Sequence, residues 1–531
     1  MSELVTPEFL VRTGGPISSS PLLVDANDDG WPEVFVGGIR FHGLTWRGEA
    51  LPRWPKKARR PFASSAAFGD INGDARGELV IGCDDGRVYA YHLDGDPVIG
   101  WPFPTGGDVF STPALADINS DGALETIVAS DDGSLYVLDG DAVVEWRSAL
   151  AGNPFISASP TVVDLDGDGT EEIVVGAWDG KIHAWTSEGQ PCPISWPDGG
   201  GYIWSSGTAF HANDGGARLT WASDRVNLVS GSGVSAPGWP RSTHSWMVSS
   251  PAVVQFAKGQ VGIVVGSDRL YGWDLHGQCL PGWPIDLGEY VWSSPLAFDL
   301  DGDGAREVVI GSWDGGVHAV RLDGTPVPGF PLRTDGPIFS TPAAAPLPGG
   351  GGLLVVASWD GTIRGWRLPH ARFEDSDWLQ FRGSSVRTGV VPVMVKEQPG
   401  TPPPATPRLG RPNLRGAQAE PWYGGVKRVV LHGTDLHRAR RLVVHYQIRG
   451  EGAAHISPAV RSGGKFVALI QPLRIPRRLR FWVELERPDR TKQRWPTRGF
   501  ASMLQLPSPI ARLLDRLGKR VRRERDRAAV Q

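Results

Sequence analysis

The sequence predicts an all-β fold: an eight-bladed β-propeller followed by a small β-sandwich and a basic C-terminal helix. Two observations carry the propeller prediction. A Ser/Thr-rich tripeptide recurs eight times at intervals of 44 to 47 residues, and an acidic nonapeptide follows it in five of the eight units. A period in this range, with several short strands per unit, is typical of propellers.

We call the tripeptides anchors, because each precedes the first strand of its unit. They are Ser19-Ser20-Pro21, Ser64-Ser65-Ala66, Ser111-Thr112-Pro113, Ala158-Ser159-Pro160, Ser205-Ser206-Gly207, Ser249-Ser250-Pro251, Ser293-Ser294-Pro295 and Ser340-Thr341-Pro342. Further along each unit come an apolar run, an Asp-Gly turn, an alternating strand and a Trp-Pro segment. In the fourth unit these are Ile173–Gly176, Trp178–Gly180, Lys181–Trp185 and Trp196-Pro197. Four antiparallel strands per unit are therefore predicted.

A ring of blades needs closure, since an open end would expose an unpaired strand edge. Two segments are candidates. Thr13–Ile17 precedes the first anchor as Thr334–Ile338 precedes the eighth, which predicts that the N-terminus supplies the outer strand of the last blade. The second candidate is Trp378–Gly389, whose last four residues echo Val11–Gly14. Both alternatives remain open at this point.

The acidic nonapeptide has the form Asp-x-(Asp/Asn)-x-Asp-x-x-x-Glu, with Gly at position 6 in four of the five copies. Oxygens at positions 1, 3 and 5 of such a loop converge on one point, and position 9 closes the shell. Hard oxygen ligands in that number suit Ca²⁺. We therefore expect about five Ca²⁺ ions, bound by Asp25, Asn27, Asp29, Glu33, Asp70, Asn72, Asp74, Glu78, Asp117, Asn119, Asp121, Glu125, Asp164, Asp166, Asp168, Glu172, Asp299, Asp301, Asp303 and Glu307.

Some units depart from this pattern. The second copy has Ala75 where the others have Gly, and a solvated acidic turn is the structural alternative for any single copy. The fifth, sixth and eighth units carry His211-Ala212-Asn213, Gln255-Phe256-Ala257 and Pro346-Leu347-Pro348 in place of the acidic loop. These three blades are expected to bind no metal.

The acidic loop followed by an apolar run and Gly resembles the FG-GAP (VCBS-type) repeat of integrin α-chain propellers and their bacterial relatives. The resemblance covers roughly residues 7 to 390. It implies a calcium-bearing propeller that serves adhesion or the binding of a protein or glycan. The metal-ligand role that the family implies is transferred to this chain only at the ligand positions named above.

Charge and composition divide the chain into four segments, predicted as a propeller (1–394), a proline-rich linker (395–419), an immunoglobulin- or fibronectin-like β-sandwich (420–505) and a basic amphipathic helix (506–531). Residues 1–394 hold 25 Lys and Arg against 48 Asp and Glu, a net charge of −23; residues 395–531 hold 29 against 10, a net charge of +19. The sandwich strands are predicted at Val426–Leu431, Arg441–Ile448, Phe466–Gln471 and Leu479–Leu485.

The last segment places Ile510, Leu513, Leu514, Leu517 and Val521 at helical spacing among eight Arg and Lys residues. This stripe could pack on its own sandwich. The alternatives are an anionic membrane surface, an acidic protein partner or, less favoured, a nucleic acid. We expect the basic region to anchor the protein to an anionic surface or an acidic partner.

Three cysteines cannot form a paired framework, and no apolar stretch is long enough to span a membrane. The first ten residues lack the features of a secretory signal. Calcium loops of extracellular modules bind at about 10⁻⁴–10⁻³ M, which favours an extracellular or surface location, reached without an N-terminal signal, over the cytoplasm.

The common catalytic motifs are absent, including Gly-x-Ser-x-Gly, His-Glu-x-x-His and the phosphate-binding Gly-x-x-x-x-Gly-Lys. A non-enzymatic binding or scaffold role is therefore expected. The enzymatic alternative is a polysaccharide lyase-like activity, for which the even repeat spacing leaves no long inserted loops. Aromatic residues before or near the anchors could line one mouth of the channel, with core packing as the alternative: Phe110, Trp204, Trp246, Trp292 and Phe339.

Overall fold

The computed structural model describes residues 6–391, except 213–214, 244, 246 and 257–259, together with strands between residues 413 and 502. The described residues contain strands, turns and loops but no helix, so nothing among them could cross a membrane as an apolar helix. The chain divides into two compact units, with the main division after residue 410.

The first unit is an eight-bladed β-propeller, as predicted. Each blade is an antiparallel sheet. Five blades have the four strands predicted, whereas blades 1, 4 and 6 have only three, so the prediction of four strands per unit was wrong for these three. Blade 1 contains β2 (Leu22–Val24), β3 (Glu33–Val36) and β4 (His42–Leu44), and blade 2 contains β5 (Ala67–Gly69), β6 (Glu78–Cys83), β7 (Arg87–Tyr91) and β8 (Phe103–Pro104). Blade 3 contains β9 (Ala114–Ala116), β10 (Glu125–Ser130), β11 (Ser134–Leu138) and β12 (Val144–Ala149), and blade 4 contains β13 (Thr161–Val163), β14 (Glu172–Gly176) and β15 (Ile182–Trp185). Blade 5 contains β16 (Thr208–His211), β17 (Ala217–Ala222), β18 (Arg225–Ser230) and β19 (Arg241–Ser242), and blade 6 contains β20 (Ala252–Gln255), β21 (Val261–Gly266) and β22 (Leu270–Asp274). Blade 7 contains β23 (Leu296–Phe298), β24 (Glu307–Gly311), β25 (Gly316–Val320) and β26 (Leu332–Arg333), and blade 8 contains β27 (Ala343–Pro346), β28 (Gly352–Ala357) and β29 (Thr362–Leu368).

The N-terminus closes the ring. Strand β1 (Phe9–Arg12) pairs antiparallel with β29 and becomes the outer strand of blade 8. Phe9 lies opposite Gly365, where an added Cβ would collide with the Phe9 ring, so glycine is required at that contact. The first of the two closure candidates is therefore correct, and the blade that comes last in sequence receives its outer strand from the N-terminus.

The anchors form a second, inner closure. The backbone N–H of the middle anchor residue in each blade donates to the hydroxyl of the middle residue in the next blade. The eight bonds run Ser20 to Ser65, Ser65 to Thr112, Thr112 to Ser159, Ser159 to Ser206, Ser206 to Ser250, Ser250 to Ser294, Ser294 to Thr341 and Thr341 to Ser20, with lengths of 2.9 to 3.4 Å. Ser and Thr recur at this position because each supplies both a backbone donor and a hydroxyl acceptor.

The tryptophans of the Trp-Pro segments pack between neighbouring blades. The indole N–H of Trp54 donates to Leu93 O in the next blade at 3.0 Å, and that of Trp101 donates to Gly140 O at 2.9 Å. Trp239 and Trp283 repeat the contact further round the ring. A buried indole N–H needs such an acceptor, which explains why the position favours tryptophan.

The second closure candidate, Trp378–Gly389, has a different role: with the two residues that follow it, the segment Trp378–Val391 fills the channel. Its backbone carbonyls accept from the innermost strands of six blades. The bonds are Ala297 N to Trp378 O, Ala344 N to Leu379 O, Phe68 N to Ser385 O, Leu115 N to Val386 O, Val162 N to Thr388 O and Ala209 N to Gly389 O, at 2.8 to 3.2 Å. The inner strand edges, which would otherwise face an open channel, are satisfied by this plug.

Two arginines of the plug are buried with backbone and hydroxyl oxygens as their partners. Arg387 donates to the carbonyls of Pro21, Ala66 and Phe381. Arg382 donates to those of Pro160, Gly207, Thr388 and Arg387, and to the Thr161 hydroxyl. Pro21, Ala66, Pro160 and Gly207 are the third anchor residues of blades 1, 2, 4 and 5. Burial lowers the pKa of both arginines to about 9, which leaves them protonated at neutral pH.

The strands after residue 410 form two antiparallel sheets. Strands β30 to β38 span Asn413–Pro421, Lys427–Thr434, Arg441–Ile448, His455–Pro458, Val460–Ser462, Lys465–Ile470, Leu479–Glu486, Lys492–Trp495 and Ala501–Ser502. One sheet has the order β30-β31-β35-β34; the other has the order β33-β32-β36-β37, with β38 also paired to β36. All four predicted strands of this region are present within a few residues. The sandwich packing stays a prediction, and most of the linker and all of the basic helix lie outside the described residues.

Candidate metal sites in the acidic loops

Each acidic nonapeptide connects the first and second strands of its blade. In blade 1, Asp25 directly follows β2 and Glu33 is the first residue of β3. The same placement recurs in blades 2, 3, 4 and 7, so the five loops lie at equivalent positions of the repeat. The position-9 glutamates are buried at 0 to 6 % exposure, whereas the carboxylates at position 5 are exposed.

The loop backbone wraps around the carboxylate at position 1. Asp25 accepts from the N–H groups of Asp29 at 3.0 Å and Gly30 at 2.8 Å, and Asp117 accepts from the equivalent pair at 3.1 Å each. Position 6 lies in the left-handed region in all five loops, with φ between 65° and 94°. Ala75 adopts φ 65° there, so the departure noted in the sequence changes the residue but not the shape of the loop.

The glutamate at position 9 is fixed through one oxygen. In every copy its Oε2 accepts from the N–H of position 2, at 2.8 to 3.1 Å. In blade 7, Oε1 of Glu307 is buried and has no hydrogen-bond partner among the described residues. A buried carboxylate oxygen without a donor costs free energy, and a cation in the loop would remove that cost.

Two loops bring three carboxylates together. Oxygens of Asp164, Asp166 and Glu172 in blade 4 lie within 4.8 Å of one another, as do those of Asp299, Asp301 and Asp303 in blade 7. Both loops have Asp at position 3, so no amide donor stands between the acids. This donor set, with oxygen ligands only, fits Ca²⁺.

In blades 1 and 3 the side-chain amide of the asparagine at position 3 donates to two carboxylates of its loop. Asn27 Nδ2 donates to Asp29 Oδ2 at 3.1 Å and to Glu33 Oε1 at 3.0 Å. Asn119 makes the same two bonds, to Asp121 at 3.1 Å and Glu125 at 3.0 Å. The amide nitrogen thus occupies the point that a cation would share between these carboxylates, and rotation of the amide would present its oxygen instead.

The position-9 glutamates hold protons readily when no cation is present. Burial, together with the charges of nearby carboxylates, raises the pKa of Glu33, Glu125 and Glu307 to about 7, although the backbone hydrogen bond lowers it. The pKa values of Glu78 and Glu172 are also raised, again chiefly by burial. Each loop therefore concentrates negative charge that favours a cation or a proton.

Neighbouring side chains make the five loops unequal, a feature that the repeat pattern alone did not predict. Glu145 on β12 accepts from Asn119 at 3.1 Å and adds a carboxylate to the blade 3 loop. His92 lies 3.3 Å from Glu78 in blade 2. In blade 7, the Arg321 guanidinium pairs with Asp301. Glu145 should strengthen cation binding, and Arg321 should weaken it.

Blades 5, 6 and 8 have short hairpin connections at the equivalent position. The buried residues Ala212, Phe256 and Leu347 stand where the metal loops have an apolar position 2, and each donates its N–H four residues onward, to Gly216, Gln260 and Gly351. No carboxylate set is present in the described parts of these loops. Residues 213 and 257 of the predicted departures lie outside the described residues.

A recurring interaction locks the turn between the second and third strands. Tyr89 and Tyr136 donate to Asp85 and Asp132, and the His183 and His318 rings lie 3.1 Å from oxygens of Asp179 and Asp314 in the corresponding blades. Burial alone would raise the pKa of the Asp314 carboxyl. The hydrogen bond and the charge of His318, together with a hydrogen bond from Arg333, outweigh that effect and lower the pKa to about 2. These histidines are thus structural repeat positions.

The aromatic residues near the anchors pack on one another between blades. Trp204 lies 5.1 Å from Trp178, and Trp292 and Phe339 each lie 5.1 Å from Trp313, measured between ring centroids. Trp204, Trp292 and Phe110 keep part of their surface exposed, whereas Phe339 is buried at 8 % exposure. Trp246 lies outside the described residues.

Comparison with known proteins matches one part of the chain to a family. The model of the FG-GAP-like repeat matches residues 117–175, which contain the acidic loops of blades 3 and 4. No curated protein sequence matches the chain. The family match supports the repeat assignment for this segment, and the eight sheets extend the same architecture round the ring.

Several solved structures are similar to this chain at low identity. BamB from Moraxella catarrhalis is 17% identical, covers 68% of this chain and 99% of its own, and gives a TM-score of 0.47. The Dos1 propeller is 11% identical, covers 70% and 96%, and gives 0.47. A europium-containing methanol dehydrogenase is 11% identical, covers 67% and 86%, and gives 0.47. We draw no functional argument from similarities at this level.

Proposed function

We propose that this chain is a non-enzymatic, calcium-stabilised propeller that recognises a protein or glycan as an adhesion, binding or scaffold module. The observation that carries the calcium part is the shared geometry of the five loops. In each loop a backbone N–H fixes the buried glutamate, and in blades 4 and 7 three carboxylates lie within 4.8 Å of one another. The buried Oε1 of Glu307, which has no hydrogen-bond partner in the part of the chain that the structure describes, supports it further.

Calcium would act on stability. Each loop connects the two innermost strands of a blade, so an ion there would hold the blade beside the channel. A site with calcium at tenfold excess over its dissociation constant adds roughly 1.4 kcal/mol. Five such sites together would rival the net stability of an ordinary domain, about 5–15 kcal/mol.

The non-enzymatic part rests on the repetition of the titratable side chains. Histidines 183 and 318 repeat the contact made by tyrosines in other blades. The glutamates with raised pKa values recur in five equivalent loops. A catalytic site would use a unique set of groups, and the described site residues are repeat positions.

Melting curves with and without EDTA test the calcium proposal. We expect chelation to lower the melting temperature sharply and added Ca²⁺ to restore it. Asp166→Asn should reduce the calcium-dependent part of the shift, whereas Asp141→Asn, an exposed acid outside the loops, should not. An unchanged melt after demonstrated metal removal would refute a stabilising role.

The basic C-terminal region is proposed as the anchor, on the strength of the −23 and +19 charge division. Such attraction is screened over about 8 Å at physiological ionic strength. Deletion of Ser508–Gln531 should abolish association with anionic vesicles or the native assembly at about 0.15 M salt, without changing the calcium-dependent melt. Full association of the truncated protein would show that the segment is not the anchor.

A further inference from the structure

The outer strand of blade 3 differs from the outer strands of the other blades. Strand β12 has six residues, whereas β8, β19 and β26 in blades 2, 5 and 7 have two each and β1 in blade 8 has four. In blades 2, 5 and 7 a proline stands directly before the short strand, at residues 102, 240 and 331. Proline limits pairing along a sheet edge. Blade 3 has no proline from residue 114 to residue 153, so nothing of this kind limits β12.

The outer edge of β12 is open. In the part of the chain that the structure describes, β12 pairs with β11 alone. The register with β11 is regular over residues 146–149 and shifts only before them. The N–H of Leu150 donates towards β11, to Gly133 O at 2.8 Å. Because backbone groups alternate in direction along a strand, the N–H and C=O groups of Arg147 and Ala149 point away from the blade. Such a row of backbone groups is a template for another strand.

Exposed apolar side chains lie at the start of this strand. Among the described residues five large apolar side chains are exposed, and three of them belong to this region: Ile99 (83 %), Val143 (60 %) and Val144 (39 %). Ile99 is part of the blade 2 turn that meets the β11–β12 turn, where the Trp101 indole N–H donates to Gly140 O at 2.9 Å. A concentration of exposed apolar surface is typical of a protein–protein contact.

The charges of β12 match a second copy of the same strand. Successive side chains alternate in direction. Trp146 turns towards blade 4, where its indole N–H donates to Ser187 O at 2.7 Å, and Arg147 lies on the other face, over the Tyr136 ring at 5.0 Å. Glu145 and Arg147 are both exposed. Two β12 strands paired antiparallel about a two-fold axis at Trp146 would place Glu145 of each copy opposite Arg147 of the other. A register centred on Glu145 or on Arg147 would instead bring like charges together.

We propose that two copies of this chain associate through β12, which pairs antiparallel with β12 of the second copy and joins their two four-stranded blade 3 sheets into one. The contact is isologous, since each copy contributes the same strand. Backbone hydrogen bonds hold the strands together, the two Glu145–Arg147 pairs set the register, and Val143 and Val144 lose contact with water. This association goes beyond the proposed function, because it requires neither calcium nor a ligand.

Sedimentation velocity of the full-length, calcium-saturated protein over a concentration series tests the proposal. The wild type should dimerise. Glu145→Arg and Arg147→Glu each bring like charges together and should raise the dimer dissociation constant at least about tenfold. The double variant with both changes restores opposite charges in the same register and should return the constant to within about threefold of the wild type. Arg12→Glu, the same charge change at an exposed position of the outer strand β1, should alter it less than about twofold.

Hydrogen–deuterium exchange supplies a local readout of the same contact. Exchange in residues 145–149 should slow as the protein concentration rises, because dimerisation pairs the outward N–H groups. Slow exchange there at every concentration would show that another part of the same chain covers the strand, and this result would overturn the proposal.

Other results would contradict the proposal as well. They are a chain that stays monomeric across the series, as expected if β12 accepts a strand of a different protein, a dimer that both single variants leave unchanged, and a double variant no better than the single ones. If a charge reversal folds poorly, Val143→Lys replaces it, because Val143 is 60 % exposed; this change should raise the dissociation constant at least about threefold. The EDTA melt does not measure association, so a monomeric chain leaves the calcium proposal untouched.

Discussion

The backbone N–H of Thr341 donates to Ser20 Oγ at 2.9 Å, across 321 residues of sequence. This bond completes the ring of eight anchor contacts, and strand β1 completes the outer edge of the same blade. Two independent closures therefore join the first and last blades. One lies at the channel and the other at the circumference, which holds the blade along its full width.

Ser20→Ala should destabilise the propeller by roughly 1–3 kcal/mol, because it leaves the buried N–H of Thr341 without an acceptor. Urea unfolding monitored by tryptophan fluorescence measures the loss. The matched control is Ser235→Ala on the exposed edge of blade 5, which should change stability by less than about 0.5 kcal/mol. Equal losses in the two variants would mean that the hydrogen bonds of the anchor ring contribute no more to the free energy of unfolding than an exposed serine does.

Arg387→Leu should destabilise the protein by roughly 3 kcal/mol or more, since a buried guanidinium that bonds three carbonyls would be lost and those oxygens left without donors. Arg372→Leu, in an exposed part of the same connection, is the control and should be nearly neutral. Limited proteolysis adds a local readout, because loss of Arg387 should expose the plug at Trp378–Val391. A variant as stable and as resistant as the wild type would contradict the role given to the plug.

Gly122→Ala should cost about 1 kcal/mol. Gly122 has φ 94°, and an added Cβ would meet nothing within 4 Å, so the cost arises from the backbone conformation alone. The reverse change at the same loop position, Ala75→Gly, should not destabilise the protein. Thermal melts in EDTA isolate the backbone effect from calcium binding. A larger loss at Ala75→Gly than at Gly122→Ala would reverse the expected order.

Asp84→Asn should stabilise the protein at alkaline pH. A carboxyl whose pKa is raised on folding binds more protons in the native state, so stability falls as pH rises from the unfolded value, about 4, towards the native value of about 8. The asparagine variant lacks this loss, which is roughly 1.4 kcal/mol for every tenfold difference in proton affinity between the folded and unfolded states. Melting temperatures should coincide near pH 4 and diverge by pH 8.5, with Asp141→Asn following the wild type. Parallel pH profiles would show that Asp84 is not a strained carboxylate.

Features that repeat were predictable from the sequence. The anchors, the acidic loops and the Trp-Pro positions each recur at a regular spacing. Because a chance match would not recur in register, the repetition predicts the eight blades and their order. Tyrosines 89, 136 and 271 and histidines 183 and 318 also share one repeat position, and each of them contacts an aspartate of the neighbouring turn.

Features that occur once were harder to predict. Trp378–Gly389 shares a short echo with the N-terminal strand, and this made it a second candidate for closing the ring. Its actual position in the channel depends on eight inner strands brought together only by the fold. Asp84 and Asp131 carried a signal that was missed, because they replace tryptophan at one repeat position. The burial of Asp84 depends on the packing of neighbouring blades, which no single repeat specifies.

The metal content of the purified protein is the most direct measurement of the proposed calcium role. Native mass spectrometry of the calcium-equilibrated protein should give about five Ca²⁺ per chain, all lost to EDTA together with a lower melting temperature. Anomalous scattering should then place the ions in blades 1, 2, 3, 4 and 7. A protein without bound calcium at millimolar Ca²⁺, or ions in blades 5, 6 or 8, would contradict the assignment.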